Sequence, residues 1–253
     1  MLHRSIILIF SIIVFSSCST RKEILYLQDI DSQNNSQINY TESEIQPNDV
    51  LSINIVALNV ETSEPYNLQN NNNQAGGGQM LQLQGYLVTP DYTINLPVLG
   101  EISVKGKTTR ELSNIIKNVL EDGGHLINPT VNVRLLNAKI TILGEVNLPG
   151  TIEFTEQNLT LLQALGYAGG LTINGVREDI IIIRDDVGVK KISHIDITTS
   201  DWMNGPFYFV KPNDTIIVNP NGPEVKRAGY IPDLAGLISL VTLSLTLTIL
   251  LTN

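Results

Sequence analysis

The chain has 253 residues, enough for one large domain or two small ones, each able to bury a core. Its formal net charge is -9 and its Lys and Arg residues form no dense cluster, so the electrostatic footprint of a nucleic-acid binder is missing. The one cysteine, Cys18, has no partner for a disulfide, and stability has to come from packing.

The chain opens with Met1-Leu2-His3-Arg4, then the apolar run from Ile6 to Phe15 broken only by Ser11, then Ser16-Ser17-Cys18. A basic start, an apolar stretch of about 10 residues and small residues at a cut site read as a secretory signal over 1–17, since a spanning helix needs about 20. Cys18 at the cleavage point resembles a bacterial lipobox, with Phe15 where Leu is usual, and is the expected lipidation site. The plain alternative is an ordinary signal followed by an exposed thiol. Residues 18–44, polar and rich in Asn and Gln, read as a tether between membrane and body.

The first folded unit is expected over 45–137. Pro47-Asn48-Asp49 is turn chemistry, and Leu51, Ile53 and Ile55 alternate with Val50, Ser52 and Asn54 as a half-buried strand requires. The segment 67–79 is low-complexity and rich in Asn and Gly, a loop inside this unit. Pro90-Asp91 is expected to turn a hairpin between Tyr86–Thr89 and Tyr92–Leu96. Thr108 and Glu111 have capping-box spacing, Leu112, Ile115, Ile116, Val119 and Leu120 mark one helical face, and Gly123-Gly124 stop the helix. A strand follows at 130–136.

The second unit is expected over 138–220. Pro149-Gly150 suits the central positions of a type II turn between strands 140–146 and 151–154. A second capping box, Thr160 with Gln163, starts a helix that Gly169-Gly170 end. Strands at 179–184 and 189–197 flank a turn at 185–188, and Pro212-Asn213-Asp214 leads into a last strand. A hairpin, a helix across it and further strands make the shape of a β-grasp fold, so the fold class is α+β with two β-rich units.

The segment 221–253 reads as a linker and a C-terminal transmembrane helix. From Pro232 to Thr252 it carries one charge, Asp233, and about 20 residues of helix rise about 30 Å, the thickness of a hydrocarbon core. Ser239, Thr242 and Thr246 share a narrow arc and are the candidate pore-lining or helix-contact residues. Two other readings compete, a membrane strand from the period-two pattern and a buried core helix.

Residues 45–55, 86–112 and 128–136 resemble the polysaccharide export domain of the outer-membrane capsule and exopolysaccharide exporters of the Wza type. Residues 140–154, 159–171 and 210–219 are similar to the soluble-ligand-binding β-grasp (SLBB) domain that follows it there. The chain departs from the family in having Asn48 and Asn213 where Gly is common, Asp91-Tyr92 where Asp-Gly is usual, and one β-grasp unit rather than two. The resemblance implies an octamer-like homo-oligomeric ring whose axis conducts polysaccharide. It also implies a lipid-anchored outer-membrane location with the body in the periplasm, and an inner-membrane polysaccharide co-polymerase/tyrosine kinase as partner. No cofactor or metal is expected.

An enzyme is the rival class and finds little chemistry. Asp185-Asp186 is the most visible carboxylate pair, but sits on a solvated turn. His125 and His194 are too few and too isolated for a metal cluster, and no phosphate loop or nucleophile elbow is present. A third class, a non-conducting envelope lipoprotein whose β-grasp unit binds polysaccharide or a partner protein, stays open on fold analogy alone.

Overall fold

The computed structural model describes residues 24–32, 37–38, 40–68, 85–186, 188–222 and 224, with Gly236, Ile238, Ser239, Val241, Thr242, Leu243, Thr246 and Leu250. Cys18 lies outside the described residues. Two hydrophobic cores form. One gathers residues between Ile45 and Val133; the other gathers residues between Ala138 and Val218.

In the first core, β1 (Val50–Val56) is the middle strand of a three-stranded sheet, between β2 (Tyr86–Leu87) and β5 (Thr130–Leu135), both antiparallel to it. The alternation read from sequence holds, since Leu51, Ile53 and Ile55 are buried. A short helix α1 (Val60–Ser63) follows β1. A separate hairpin joins β3 (Thr93–Leu96) to β4 (Gly100–Ser103). Helix α2 (Thr109–Asp122) buries Leu112, Ile116 and Leu120 completely, a stripe at i, i+4 and i+8 worth about 1.5–3 kcal/mol per side chain. Its capping box is complete, with Glu111 N–H donating to Thr108 Oγ1 and Thr108 N–H to Glu111 Oε2.

The second core is built on a five-stranded mixed sheet. Its strands are β6 (Lys139–Gly144), β7 (Gly150–Glu153), β8 (Gly175–Asp186), β9 (Val189–Ile195) and β10 (Thr215–Pro220), in the order β7-β6-β10-β8-β9. Only β6 and β10 run parallel. Helix α3 (Leu161–Tyr167), capped by Thr160 and Gln163 as expected, buries Leu161, Ala164 and Leu165 in the same core. Gly169 and Gly170 end it with φ of 74° and 78°.

Two turn expectations are corrected. Pro90-Asp91 does turn the chain, with Tyr92 N–H donating to Thr89 O and Tyr92 at φ 59°. The strands on either side do not pair as one hairpin, because β2 joins β1 while β3 joins β4. Pro149-Gly150 is not a type II turn: Gly150 already opens β7 opposite Ile142, at φ 155° rather than the value of about 80° such a turn needs. The connection is the loop 145–149, held from outside by a bridge of Val146 to Leu171 and by Leu148 N–H donating to Ala168 O.

Residues 24–32 lie against the second unit. Leu27 and Gln28 donate N–H bonds to the carbonyls of Ile197 and Thr198, Leu27 packs on the core, and Ser200 donates its hydroxyl to Asp29.

Among the described residues no helix is long and apolar enough to cross a membrane, so the predicted span over 232–252 is not supported there. Much of that span falls outside the described residues. Its described positions are helical rather than extended, and Ile238, Val241, Leu243 and Leu250 are exposed, which is neither the strand nor the buried core helix weighed above.

Candidate functional site at the domain joint

The two Pro-Asn-Asp turns meet at the joint between the units. In each, Pro fixes φ at the second position and Asn accepts a left-handed φ at the third, 71° at Asn48 and 68° at Asn213. The Asp at the fourth position donates N–H to the carbonyl of the first residue, Gln46 or Lys211, and accepts that residue's N–H on its carboxylate. The two turns are thus built from the same bonds.

The linker Leu136–Ala138 ties them together. Asn137 accepts the Val50 N–H on Oδ1 at 2.8 Å and donates Nδ2 to Asn48 O at 2.9 Å. One residue past the linker, Lys139 O receives the Asn213 N–H at 2.7 Å. Leu135 packs on both cores. Gln46 Nε2 reaches Asp185 O at 3.1 Å, and Tyr40 stacks on Phe209 with ring centroids 5.7 Å apart.

Beside the joint lies a cavity of about 510 Å³ with Leu135, Ala138 and Phe154 on its apolar part and Glu42, Arg134 and Glu156 among its polar groups. It falls within the range of about 300–1,000 Å³ usual for ligand sites. Glu42 is held there by Arg110 Nε at 3.2 Å, and Glu156 by the Tyr167 hydroxyl at 2.5 Å. That hydroxyl bond lowers the Glu156 carboxyl below its ordinary range, keeping it ionised.

The turn carboxylates differ electrostatically. Asp214 is buried and forked by Arg184, Nε to Oδ1 at 2.9 Å and Nη2 to Oδ2 at 2.7 Å. Arg184 also donates Nη1 to Pro206 O and Nη2 to Phe209 O, and its guanidinium lies over the Phe207 ring at 4.7 Å. Asp49 is as deeply buried but pairs with no cation among the described residues. Loss of solvent raises its pKa to about 6, against the opposing pull of the Gln46 N–H.

Of the residues singled out from sequence, Pro47, Asn48, Asp49, Pro212, Asn213 and Asp214 come together at the joint, whereas Gly169 and Gly170 meet the loop 145–149 that leads into Gly150, accepting bonds from Asn147 Nδ2. Ser239, Thr242 and Thr246 lie on the described helical positions, and each hydroxyl donates to a carbonyl one turn back: Gly236 O, Ile238 O and Thr242 O respectively. Their protons are used inside the helix, as hydroxyls in apolar helices often are. Asp185 is consumed by its turn, accepting the Gly188 N–H, while His125 meets the Tyr66 hydroxyl and His194 meets Asp179. No group of three or more metal-ligating side chains forms among the described residues.

Sequence reasoning missed Arg184, Asn137 and the aromatic run Phe207-Tyr208-Phe209. An Arg closing the run Ile180–Ile183, and three successive aromatics, were the available signals.

Comparison with known proteins agrees with this architecture. Residues 38–136 match the family model described as polysaccharide biosynthesis/export protein, and residues 139–193 match the SLBB domain. The EPS I polysaccharide export outer membrane protein EpsA of Ralstonia nicotianae is 32% identical over 116 residues, 43% of this chain and 29% of that protein. The capsule polysaccharide export outer membrane protein CtrA of Neisseria meningitidis is 27% identical over 150 residues, 58% of this chain and 37% of that protein. The exopolysaccharide production protein ExoF of Rhizobium meliloti is 32% identical over 88 residues, 34% of this chain and 21% of that protein. The chain therefore spans well under half the length of these relatives. Residues 38–193 of the chain therefore carry a polysaccharide biosynthesis/export domain followed directly by an SLBB domain, and the relatives that share this region are named for polysaccharide export.

Proposed function

We propose that the protein passes capsular or extracellular polysaccharide across the outer membrane to the cell surface, as a homo-oligomeric ring. The observation that carries this is the export domain joined to an SLBB domain in one chain, the pairing that matches relatives named as polysaccharide export outer membrane proteins. In this reading Cys18 carries the lipid, residues 45–220 stand in the periplasm, and the polymer arrives from an inner-membrane co-polymerase. Transport is passive at this component, driven by polymer synthesis and by that inner-membrane partner.

The joint suits such a part. A ring that conducts a polymer has to keep its domains in line from one copy to the next, and the linker does this through directed bonds, Asn137 to the first turn and the Lys139 carbonyl to the second. The tail at 232–252 is the membrane-crossing element of this proposal. Its exposed Ile238, Val241, Leu243 and Leu250, and hydroxyls satisfied within the helix, are compatible with lipid or with neighbouring tails.

Deleting the gene and restoring it with variants tests the reading. Surface polysaccharide should vanish on deletion, return with the intact chain, and stay absent with a chain lacking residues 232–253. Unchanged surface polysaccharide in the deletion strain overturns the function; full export by the truncated chain overturns the tail's role alone. Cys18→Ser should leave the protein unanchored, and unaltered membrane fractionation removes the lipid from the proposal.

A further inference from the structure

Away from the joint cavity, the second unit carries a groove of about 430 Å³ lined by Gln37, Thr41, Asn204, Tyr208 and Phe209, with Met203 and Ile38 beside them. Its side chains are amides, a hydroxyl, aromatic rings and two aliphatic groups. None of its lining residues is charged.

The groove is braced from beneath. Tyr208 and Phe209 meet edge to face at 4.8 Å, and Trp202 lies 6.1 Å from Tyr208. On the outer side Tyr40, 69% exposed, stacks on Phe209. The backbone under the rings is held by Arg184, whose fork on Asp214 leaves donors for the carbonyls of Pro206 and Phe209. Further bonds fix both ends, since Leu161 N–H donates to Tyr208 O and Val210 N–H to Leu159 O. A surface loop carrying three aromatics has in this way been given the rigidity of a core, which lowers the ordering cost of whatever binds it.

We infer that this groove is a saccharide-binding platform for an uncharged stretch of the polymer. This rests on the proposed export function and names the place where the chain touches its cargo. A sugar ring has an apolar face of C–H groups and a rim of hydroxyls. Exposed Tyr40 and the rings of Tyr208 and Phe209 supply the flat apolar partner, and Asn204, Gln37 and Thr41 supply donors and acceptors at the rim. Two features select against an acidic sugar. Among the described residues no cation lines the groove, the guanidinium beneath it being engaged by Asp214 and two carbonyls, and the chain as a whole carries a net charge of -9. The joint cavity, by contrast, holds Arg134 and two glutamates and has different selectivity.

The test uses the full chain in detergent, with cellohexaose as an uncharged probe, hexagalacturonate as a charged one, and short fragments of the polysaccharide made by the source strain. Saturation-transfer NMR and the emission of Trp202, the one tryptophan, read binding. Uncharged probe or fragments should bind, and Tyr40→Ala and Asn204→Ala, both at exposed positions, should each weaken binding about tenfold, the scale of one lost ring contact or bond. Lys117→Gln, at a position on α2 that lines neither cavity, should leave it unchanged. Binding that ignores both platform substitutions, binding as tight for hexagalacturonate as for cellohexaose, or no binding by any probe overturns the platform. Surface polysaccharide in the deletion strain separates the two failures. If it disappears on deletion while the platform fails, export stands without this contact; if it persists, the export reading has failed first.

Discussion

The two Pro-Asn-Asp turns share three residues, one backbone shape and one set of local bonds, yet their carboxylates live in opposite electrostatic settings. Asp214 has its charge matched by Arg184, a residue 30 positions away that β8 delivers because Ile183 pairs with Thr215. Among the described residues Asp49 accepts only the backbone N–H of Gln46 on its carboxylate, and burial pushes its pKa up to about 6. The comparison teaches that a turn motif fixes the path of the chain, whereas the fate of its charge is decided by which strand the fold lays alongside.

Removing the match should have the largest effect. Arg184→Met leaves Asp214 buried without a cation and frees the carbonyls of Pro206 and Phe209. Breaking a buried pair from one side costs about 3–5 kcal/mol. Urea unfolding followed by Trp202 emission should show that loss in the second unit, and the double variant Arg184→Met with Asp214→Asn should recover a good part of it. A loss below about 1 kcal/mol means the pair is not what holds this turn.

Asp49 gives the converse case, an unmatched charge whose cost depends on pH. An unfolded Asp loses its proton near 3.8, but the folded one keeps it until about 6. Between those values the unfolded chain binds fewer protons, so stability is full below the lower value and falls as pH rises through the upper one. The span corresponds to about 3 kcal/mol. Hydrogen exchange of the β1 amides, compared below and above that window, should report it, and Asp49→Asn should flatten the dependence while the second unit stays indifferent. An unaltered slope in Asp49→Asn assigns the dependence elsewhere.

The backbone half of the comparison is sharpened at the Asn residues. Asn48 and Asn213 hold φ near 70°, where Gly is unstrained and a β-branched residue is not. Asn→Gly should therefore change either unit little, and Asn→Val should cost about 1–3 kcal/mol at both turns alike. Unequal costs at the two sites, read by the same unfolding experiments, would show that the Asn137 bond to Asn48 O adds a constraint that the second turn lacks.

What could be read from sequence follows the range of the interaction. Helices α2 and α3, their caps and the two Asn turns were legible because each is specified within about four residues, as Thr108 with Glu111 or Pro47 with Asp49. The failures are all long-range. Pro149-Gly150 has turn chemistry, but the loop is set by partners at Ala168 and Leu171. Tyr86–Thr89 looked like half a hairpin, but β1 takes it as a sheet neighbour. Leu27, within the polar stretch read as a tether, is recruited by a core assembled about 170 residues later, through the Ile197 carbonyl. Of the joint, the turns were visible and the splint was not. Nothing local marks Asn137 as the residue that holds the first turn, or the Lys139 carbonyl as the group that holds the second.

The smallest effect separates the two capping boxes, which repeat the same theme of equal geometry with unequal charge. Each has the Thr hydroxyl accepting the third helical N–H at 3.2 Å and the third side chain accepting the Thr N–H at 2.9 Å. In α2 that side chain is Glu111; in α3 it is the neutral Gln163. The bond from Thr108 N–H lowers the Glu111 carboxyl below its ordinary value, so the contribution is present above that value and is lost as pH falls through the lower, folded one. Gln163 cannot titrate. Acidification should then speed amide exchange in the first turn of α2 and leave that of α3 unchanged, a local signal opposite in sign to the one from Asp49. Thr160→Ala should cost about 1 kcal/mol at any pH. Glu111→Gln should turn the first box into a copy of the second and erase the difference between them; if the acid sensitivity of α2 survives that substitution, its source is a neighbouring carboxylate and not the cap.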